Sequence, residues 1–363
     1  MRFPEFSGEW KKCTLGEIGK GFDYGMNAAA KPFDGQHKYI RITDIDESSA
    51  AYIDKDVVSP DGELQDSYLV KANDILLART GASTGKSYLY DNKDGILYFA
   101  GFLIRVNIPS DNAYFVFSQL HLSRYRKWIG IMSARSGQPG VNSQEYSNYP
   151  IYLPKIEEQT KIAKLLKLVD ERIATQNKII EKLQSLIKGL AAQLTQSGTP
   201  NIRLCDCLEC HSSTLQENCV SVTGSYPVYG ATGLIGYTNN YAYNGESILI
   251  VKDGSGVGSL SYVNDHFSVI GTLNYLTAKE NYSILYLYYA LMAFNFTPYI
   301  TGMAIPHIYF KDYGKAKLFY PSIEKRIRIA SLLHNIEQKL VVEQNLVISL
   351  SAQKSYLLRM LFI

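Results

Sequence analysis

The feature that most constrains the fold of this sequence is a long amphipathic segment that occurs twice. Within residues 154–196, and again within residues 321–363, apolar side chains follow alternating steps of three and four. Such spacing predicts a helix of about 40 residues, roughly 60 Å long, whose apolar seam packs against a partner helix. The obvious partner for each helix is its copy. The seam residues are Leu166, Val169, Ile173, Ile180, Leu183 and Ile187 in the first helix and Leu333, Ile336, Leu340, Val347, Leu350 and Leu357 in the second, with Gln176, Glu343 and Lys354 as polar interruptions.

The duplication extends beyond the helices to the whole chain. Pro139 and Pro306 are 167 positions apart, as are Tyr146 and Tyr313. Each repeat has short β-rich runs, a helical segment and a loop before its long helix, which predicts a tandem duplication. In the first repeat the predicted elements are strands at 37–43, 74–78 and 97–106, and a helix at 111–129 that Ser110 and Asp111 could cap.

These segments predict an α+β fold in which a mixed α/β unit followed by a long helix is present twice. The expected boundaries are residues 1–153 for the first unit, 154–196 for its helix, 197–320 for the second unit and 321–363 for its helix. The linker between the repeats, Ser197–Pro200, is too short to return along the length of a helix. Antiparallel pairing of the two helices as a coiled coil is therefore favoured over parallel pairing.

Composition and charge describe an ordinary globular protein and decide little about partners. The net charge of +3 neither demands nor excludes nucleic acid, because a local basic face matters more than the total. No apolar run reaches the roughly 20 residues of a membrane span, and the N-terminus lacks the apolar core of a signal peptide. The expectation is a cytoplasmic protein with no membrane partner. Five cysteines, an odd number, fit reduced thiols better than a disulfide framework.

The glycine-rich stretch Arg79–Ser87, RTGASTGKS, resembles a phosphate-binding loop. The nucleotide-binding form needs four residues between its first glycine and Gly-Lys-Ser, whereas only three are present here. The matching stretch of the second repeat, DGSGVG, has no lysine after its last glycine. Two other readings remain open, a purely structural turn and a turn that presents backbone amides and side chains to a polyanion. The candidate contacts are Arg79, Thr80, Ser83 and Lys86 in the first repeat and Lys252 and Ser255 in the second.

Four cysteines and His211 lie between positions 205 and 219 and raise the question of a zinc site. The spacing of Cys205, Cys207 and Cys210 matches no common pair of zinc knuckles, and the first repeat has no cysteine in the aligned segment. Small, buried side chains are the favoured interpretation, and no metal is expected.

Basic and polar side chains gather in the helix and loop that precede each long helix. Arginine, glutamine, asparagine and serine are the side chains that reach phosphates and base edges, although for any single one of them a solvated surface residue is the better expectation. The sequence has no methyltransferase tetrapeptide, true Walker motif or acidic cluster with nuclease spacing, so recognition rather than catalysis is expected. The candidates are Arg124, Lys127, Arg135, Ser136, Gln138 and Asn142 in the first repeat and Thr301, His307 and Lys311 in the second.

Taken in their order along the chain, the repeated motifs resemble those of a known family, the specificity (S) subunits of type I restriction-modification enzymes. The resemblance covers nearly the whole chain. One departure is that Glu158-Gln159 of the first helix becomes Lys325-Arg326 in the second. The most specific phrases are RFPEFSGEW with LGEIG, PIYLPKIEEQTKIAKLLKLVDERI, YPVYGATGLIGYTNNY, and the closing helix from SLLHNIEQKL to LLRMLFI.

The resemblance implies two target-recognition domains, each reading one half of a bipartite site in double-stranded DNA, with the two long helices acting as a ruler. It implies no catalytic residue and no cofactor on this chain. Two modification subunits would bind S-adenosylmethionine and methylate adenine, and restriction subunits would use ATP and Mg. The competing classes are a coiled-coil adaptor without a DNA role and a nucleotide-binding enzyme built on residues 79–87.

Overall fold

The fold is taken from a computed structural model, which describes residues 2–134 and 139–362. The chain divides into two compact units. Unit 1 comprises Met1–Gln176 together with Leu346–Ile363, and unit 2 comprises Asn177–Asn345. Because these boundaries fall inside the two long helices, each unit contains one globular part and a portion of both helices.

Unit 1 is a mixed α/β structure whose main sheet has four antiparallel strands in the order β2-β9-β6-β7. Alternate residues of β6 point to opposite faces, so Ile75 and Leu77 lie in one apolar cluster and Leu76 and Ala78 in another. Both faces of the sheet are therefore covered. The elements are β1 Lys11–Thr14, α1 Leu15–Ile18, β2 Lys20–Tyr24, β3 Ala29–Pro32, β4 Lys38–Ile40, β5 Val58–Asp61, β6 Asp74–Ala78, β7 Ser87–Leu89, β8 Leu97–Phe99, β9 Leu103–Asn107, α2 Ala113–Gln119, α3 Ser123–Ser133, α4 Ser143–Ser147, β10 Pro150–Leu153 and the long helix α5 Ile156–Thr195.

Three local predictions in unit 1 need correction. The predicted strand at 37–43 is shorter, because a 3₁₀ turn begins at Ile42. The run at 97–106 is two strands, because a turn at Ala100–Phe102 separates β8 from β9. The predicted helix at 111–129 is also two elements. The amides of residues 120–122 bond three residues back instead of four, which ends α2, and Asn112 caps α2 by accepting from the Phe115 amide at 3.0 Å.

Unit 2 contains a six-stranded sheet in the order β12-β17-β15-β16-β13-β14. Only the β13–β16 pair is parallel. Helix α7 packs on one face through Tyr286 and Leu287, and a second apolar cluster around Leu249 and Phe267 covers the other face. The elements are β11 Ile202–Arg203, α6 Leu204–Cys207, β12 Leu208–Ser212, β13 Tyr226–Gly230, β14 Gly233–Thr238, β15 Tyr243–Val251, β16 Leu260–Val269, β17 Leu273–Ala278, α7 Ile284–Met292, α8 Phe310–Tyr313, β18 Lys317–Leu318 and the long helix α9 Ile323–Leu361.

Both units close in the same way. In unit 1 the strand that enters the fold, β1, pairs antiparallel with β10, the strand immediately before α5. In unit 2 the same relation holds between β11 and β18, the strand immediately before α9. The start of each long helix is therefore anchored by the first strand of its own globular part.

The long helices pair antiparallel, as predicted. All twelve predicted seam residues are buried or half-buried. In unit 1, Leu166 near the start of α5 shares an apolar cluster with Leu358 and Leu361 at the end of α9. In unit 2, Ala191 near the end of α5 lies in a cluster with Leu333 near the start of α9. Lys354 interrupts the apolar seam, but its Nζ is 2.6 Å from the Asp170 carboxylate, which satisfies the charge.

In each unit an acidic residue of a long helix binds tyrosine hydroxyls of the globular part. Tyr114 on α2 donates to Asp170 on α5. Tyr288 and Tyr289 on α7 donate to the two carboxylate oxygens of Glu337 on α9, at 2.9 and 2.7 Å. Asp170 and Glu337 are 167 positions apart, so the acidic residue is at the same place in both repeats, although its tyrosine partners are at different places. Charge-assisted hydrogen bonds of this kind fix the short helix against the long one.

The sequence difference at the start of the two long helices has a structural explanation. Glu158 is buried and forms a bidentate ion pair with Arg2 of the N-terminal segment, at 2.7 and 2.8 Å. Its counterpart Lys325 instead approaches the linker residue Ser197 at 3.2 Å. The next position keeps one function, because Gln159 donates to the Pro154 carbonyl and Arg326 donates to the Pro321 carbonyl.

Candidate nucleic-acid interface

The candidate interface of unit 1 consists of two loops that bind each other through their backbones. The first glycine loop, residues 79–86, follows β6, and the first proline loop, residues 139–141, precedes α4. The Gly81 amide donates to the Pro139 carbonyl at 3.0 Å, and the Val141 amide donates to the Arg79 carbonyl at 2.9 Å. Gly85 has a φ of +90°, and a Cβ atom there would lie 2.9 Å from Ile129. Glycine is therefore required for both backbone conformation and space.

Unit 2 repeats this arrangement with different side chains. The second glycine loop, residues 252–259, follows β15, and the second proline loop comprises residues 301–308. The Gly254 amide donates to the Pro306 carbonyl at 2.9 Å, and the Ile308 amide donates to the Lys252 carbonyl at 2.9 Å. Gly258 has a φ of +84° and packs against Phe296, which is 167 positions after Ile129. The two loop pairs are therefore equivalent, and Lys252 occupies the place of Arg79.

Four backbone amides of the first glycine loop are already bonded within the protein and are not available to a phosphate. The amides of Gly81, Thr84, Gly85 and Lys86 donate to carbonyls of the protein at 3.0 to 3.1 Å. The Thr84 hydroxyl donates to the Gly81 carbonyl. The prediction that this turn presents its amides to a polyanion is therefore wrong for these four groups. The same bonding counts against a nucleotide site, because phosphate loops depend on free amides.

Two cations of the first loop pair already have partners in unit 1. The Arg79 guanidinium lies 5.0 Å from the Tyr24 ring centre, and its Nε donates to the Gly101 carbonyl at 3.0 Å. Lys86 is 3.8 Å from the exposed carboxylate of Glu47. Both side chains are half-buried, so an approaching anion would share them with these groups.

Thr80 and Ser83 lie within the first loop pair. Thr80 forms a backbone bridge with Gly140 in the proline loop. The Ser83 carbonyl accepts from the Lys86 amide at 3.0 Å. Both side chains are half-buried, so each could still offer its hydroxyl group to a ligand.

The other candidates of the first repeat do not form one surface. Arg124 points inward, with its guanidinium 4.6 Å from the Tyr152 ring and a 2.8 Å bond to the buried Gln119. Asn142 caps α4 by accepting from the Glu145 amide at 2.9 Å. Arg124 and Asn142 therefore stabilise the fold, whereas Lys127 is exposed on α3. Arg135, Ser136 and Gln138 lie outside the described residues.

The candidates of the second repeat are brought together more clearly. Thr301 and His307 close the second proline loop through reciprocal backbone bonds of 2.9 and 2.8 Å. Lys311 is exposed on α8, with its Nζ 5.0 Å from the Tyr309 ring centre. Ser255 is exposed in the second glycine loop, and Lys252 lies at the base of the same loop pair.

The cysteine-rich segment does not converge on one point. Cys207 is buried and its thiol donates to the Leu204 carbonyl at 3.3 Å, while burial raises the pKa of this thiol to about 12. Cys205 and Cys210 are half-buried and Cys219 is exposed, so the interpretation as small buried residues holds for Cys207 alone. Within residues 2–134 and 139–362, no three His, Cys, Asp or Glu side chains are grouped to hold a metal ion.

Sequence reasoning missed the aromatic residues of the loop pairs. Tyr24 faces Arg79, and its hydroxyl donates to Ser143 at 3.2 Å. Tyr309 is exposed beside His307, with ring centres 5.0 Å apart. Tyr24 is 55 positions from Arg79 and gives no local signal. Tyr309, two positions after His307, could have been found by treating aromatic residues as nucleic-acid contacts.

Helices long and apolar enough to cross a bilayer are absent from the part of the chain that the structure describes.

Comparison with known proteins identifies the family. A family model described as the type I restriction modification DNA specificity domain matches residues 7–185 and 202–350. The type I restriction enzyme MjaVIII specificity subunit of Methanocaldococcus jannaschii is 28% identical over 205 residues, which cover 54% of this chain and 44% of that protein. The type I restriction enzyme EcoprrI specificity subunit of Escherichia coli is 28% identical over 112 residues, which cover 31% and 28%. The chain thus aligns with less than half the length of these relatives.

Solved structures share the fold over the full length. The S subunit of a type I restriction-modification system from M. genitalium has a TM-score of 0.70 at 17% identity, covering 100% of this chain and 99% of that one. A chain from a study of complex assembly and conformational transition of the type I R-M system has a TM-score of 0.53 at 15% identity, covering 98% of both chains. At these identities the likeness shows the fold alone. The family model, however, matches most of the chain in two blocks, one in each repeat, and the chain therefore belongs to the type I restriction-modification DNA specificity family.

Proposed function

We propose that this chain is the DNA-specificity subunit of a type I restriction-modification complex and reads a bipartite target in double-stranded DNA. The observation that carries the proposal is the duplicated loop pair. The backbone bonds between glycine loop and proline loop are the same in both units, while the side chains differ: Thr80 becomes Asp253, and Ser83 becomes Gly256. A common scaffold with unlike side chains is what two readers of two different short sequences require.

The cations of the loop pairs fit a role in positioning DNA. Arg79 and Lys252 occupy equivalent places in the two glycine loops. Lys127 is exposed on α3, before the first proline loop, and Lys311 is exposed on α8, after the second. Cations placed on phosphates fix the register of a protein on the duplex without reading its sequence. The bases would then be read by loop side chains, for which Ser83 in unit 1 and Ser255 and His307 in unit 2 are the candidates among the described residues.

The chemistry of restriction and modification is assigned to partner subunits. We infer that two modification subunits bind S-adenosylmethionine and methylate adenine, and that restriction subunits use ATP and Mg. The family membership of the chain supports this assignment. The internal bonding of the first glycine loop also supports it, since the amides of Gly81, Thr84, Gly85 and Lys86 already donate to carbonyls of the protein. On this proposal the complex works in the cytoplasm on chromosomal or incoming DNA.

The proposal is tested by selecting DNA from a randomised duplex library with the chain assembled with its modification subunits. The expected result is enrichment of a bipartite motif, two short defined sequences separated by a fixed number of unspecified base pairs. Binding should weaken steeply with salt, as phosphate contacts require. A library in which no sequence is enriched, together with binding that salt does not affect, would favour the coiled-coil adaptor.

A pair of variants assigns the contacts. Lys252→Ala combined with Lys311→Ala should weaken binding to all sequences. The slope of log affinity against log salt concentration should become shallower by about one unit for each phosphate that the variant no longer neutralises. Lys339→Ala, an exposed lysine on α9, is the matched control and should leave binding unchanged. Equal effects of the control and the double variant would show that the second loop pair is not the contact surface.

A further inference from the structure

The tip of the second proline loop is apolar and uncovered. Met303 is fully exposed, with a relative accessibility of 105%, and Ile305 is 65% exposed. Their neighbours Ile300 and Tyr309 are also exposed, at 39% and 48%. Large apolar side chains that share one exposed loop mark an interaction site more often than scattered single ones do.

The loop that carries these side chains is braced from within. Reciprocal backbone bonds between Thr301 and His307 close its base. Gly302 has a φ of +88°, and a Cβ atom there would lie 2.3 Å from the Ile305 carbonyl oxygen, so only glycine fits. His307 Nδ1 is 3.2 Å from the same oxygen, and Pro306 restricts the chain between them. The base of the loop is therefore braced, and the apolar side chains project from it.

The position of the tip relates it to the proposed DNA contact. The loop is fixed to the second glycine loop through the bond between Gly254 and Pro306. Lys252 lies in that glycine loop, and Lys311 follows the proline loop on α8. An apolar tip on a loop whose base is bonded to Lys252 and which is followed by Lys311 suits a DNA groove, where phosphates lie at the edges and base edges at the floor.

The equivalent positions of the first repeat have the opposite chemistry. Shifting by 167 places Ser136 opposite Met303 and Gln138 opposite Ile305, while Pro139 and Pro306 coincide. Ser136 and Gln138 lie outside the described residues, so only their identities enter the comparison. Serine and glutamine can hydrogen-bond to base edges, whereas methionine and isoleucine cannot.

We propose that Met303 and Ile305 read the 5-methyl groups of thymine in the major groove of the second half-site. The thymine methyl is the one apolar group that a base pair displays there, and apolar side chains are its natural contacts. The braced base of the loop favours a specific contact, because it reduces the conformational entropy that is lost on binding. This inference rests on the proposed DNA-reading function and adds to it the chemistry by which one half-site is read.

The test uses two randomised duplex libraries that differ only in the 5-methyl group, one made with thymidine and the other with deoxyuridine. Each is selected with the chain assembled with its modification subunits. The half of the motif read by unit 2 is the half that stays constant when residues 1–153 are exchanged for those of a relative. In that half, DNA with uracil at a contacted position should bind about fourfold less tightly than DNA with thymine there.

Variants then connect the discrimination to the tip. Met303→Gln combined with Ile305→Gln keeps the side chains similar in size and should abolish the preference for thymine over uracil in that half-site alone. Val222→Gln is the matched control, because Val222 is a 90% exposed apolar residue of the same unit outside this loop. It should retain the preference. All three substituted residues are exposed, so thermal stability and assembly should match the native chain.

The outcomes separate the inference from the proposed function. Enrichment of a bipartite motif without any discrimination between thymine and uracil in the second half would overturn the inference and leave the function standing. Discrimination that survives in the double glutamine variant would also overturn the inference. A third such outcome is a native chain that shows no thymine preference but bends DNA, with the bending lost in the variant, which would indicate a wedge between base pairs. The absence of any enriched motif in both libraries would overturn the function as well.

Discussion

The anchor between Glu337 and the tyrosines of α7 provides a quantitative test of how unit 2 holds its long helix. The Glu337 carboxylate accepts from Tyr288 at 2.9 Å and from Tyr289 at 2.7 Å. Both tyrosines are buried, at 4% and 0% exposure. Burial raises the pKa of each hydroxyl, and the nearby carboxylate raises it further, so both stay protonated and act as donors.

Glu337→Ala would remove both acceptors and leave two hydroxyls without them. A hydrogen bond to a charged group contributes about 1.5 to 3 kcal/mol, which gives about 3 to 6 kcal/mol for the pair. Glu337 is only half-buried, so water can replace part of the lost hydrogen bonding in the variant. We therefore expect the free energy of unfolding to fall by about 2 to 4 kcal/mol. Glu181→Ala, which removes an exposed carboxylate from α5 in the same unit, should cost less than about 0.5 kcal/mol.

Urea unfolding followed by circular dichroism measures these differences. The decisive comparison is a double-mutant cycle in which Glu337→Ala is repeated in a background with Tyr288→Phe and Tyr289→Phe. If the hydrogen bonds carry the effect, Glu337→Ala should cost almost nothing in that background. A cost below about 1 kcal/mol in the native background would refute this role of the carboxylate. An equal cost in both backgrounds would refute it too, since the carboxylate would then act through something other than these hydroxyls.

Further predictions concern acid stability, the helix seam and modularity. Burial lowers the pKa of His121 to about 3, below the roughly 6.5 of free histidine, so the unfolded chain binds the proton more readily. Its contribution to stability should therefore be lost as the pH falls from about 6.5 towards 3, by up to about 1.4 kcal/mol per pH unit. Unfolding measured across that range should show a smaller slope for His121→Phe than for the native chain, and equal slopes would contradict the prediction. Leu333→Asp, at a fully buried seam position, should cost at least about 3 kcal/mol. Leu332→Asp, at the neighbouring 47% exposed position, should stay within about 0.5 kcal/mol, and similar melting temperatures for the two would count against the seam. Exchanging residues 1–153 for those of a relative should change one half of the DNA motif in the selection experiment, whereas a change in both halves would contradict independent units.

The long helices and their seam could be predicted because periodicity in one dimension determines which face a helix buries. The structure explains the polar interruption of the seam at Lys354, because its partner Asp170 lies on the other long helix. Element boundaries in the globular parts were less predictable. The break after Gln119 depends on amides that bond three residues back. The position of the cap at Asn112 depends on one side-chain bond to the Phe115 amide. The apolar pattern contains no information on either.

The candidate interface could be predicted as a location but not as a set of contacts. The glycine and proline loops stand out in both repeats because turns need those residues. That the loops of unit 1 bind each other, through the Gly81 and Val141 amides, depends on residues about 60 positions apart in sequence. The inward direction of Arg124 depends on Gln119 and Tyr152, which no local pattern links to it. The anchors at Asp170 and Glu337 did have a signal, an acidic residue at the same place in both helices, next to tyrosine-containing short helices.

If the two units of this chain specify a bipartite DNA target for partner methyltransferase subunits, the pattern of DNA methylation in the host must depend on the gene. A map of N6-methyladenine in host DNA with the gene intact, deleted and restored measures this dependence. We expect one motif, two short sequences separated by a fixed number of unspecified base pairs, to lose methylation on deletion and to regain it on restoration. An identical set of methylated motifs in all three strains, or the loss of a single uninterrupted motif, would contradict the proposed function.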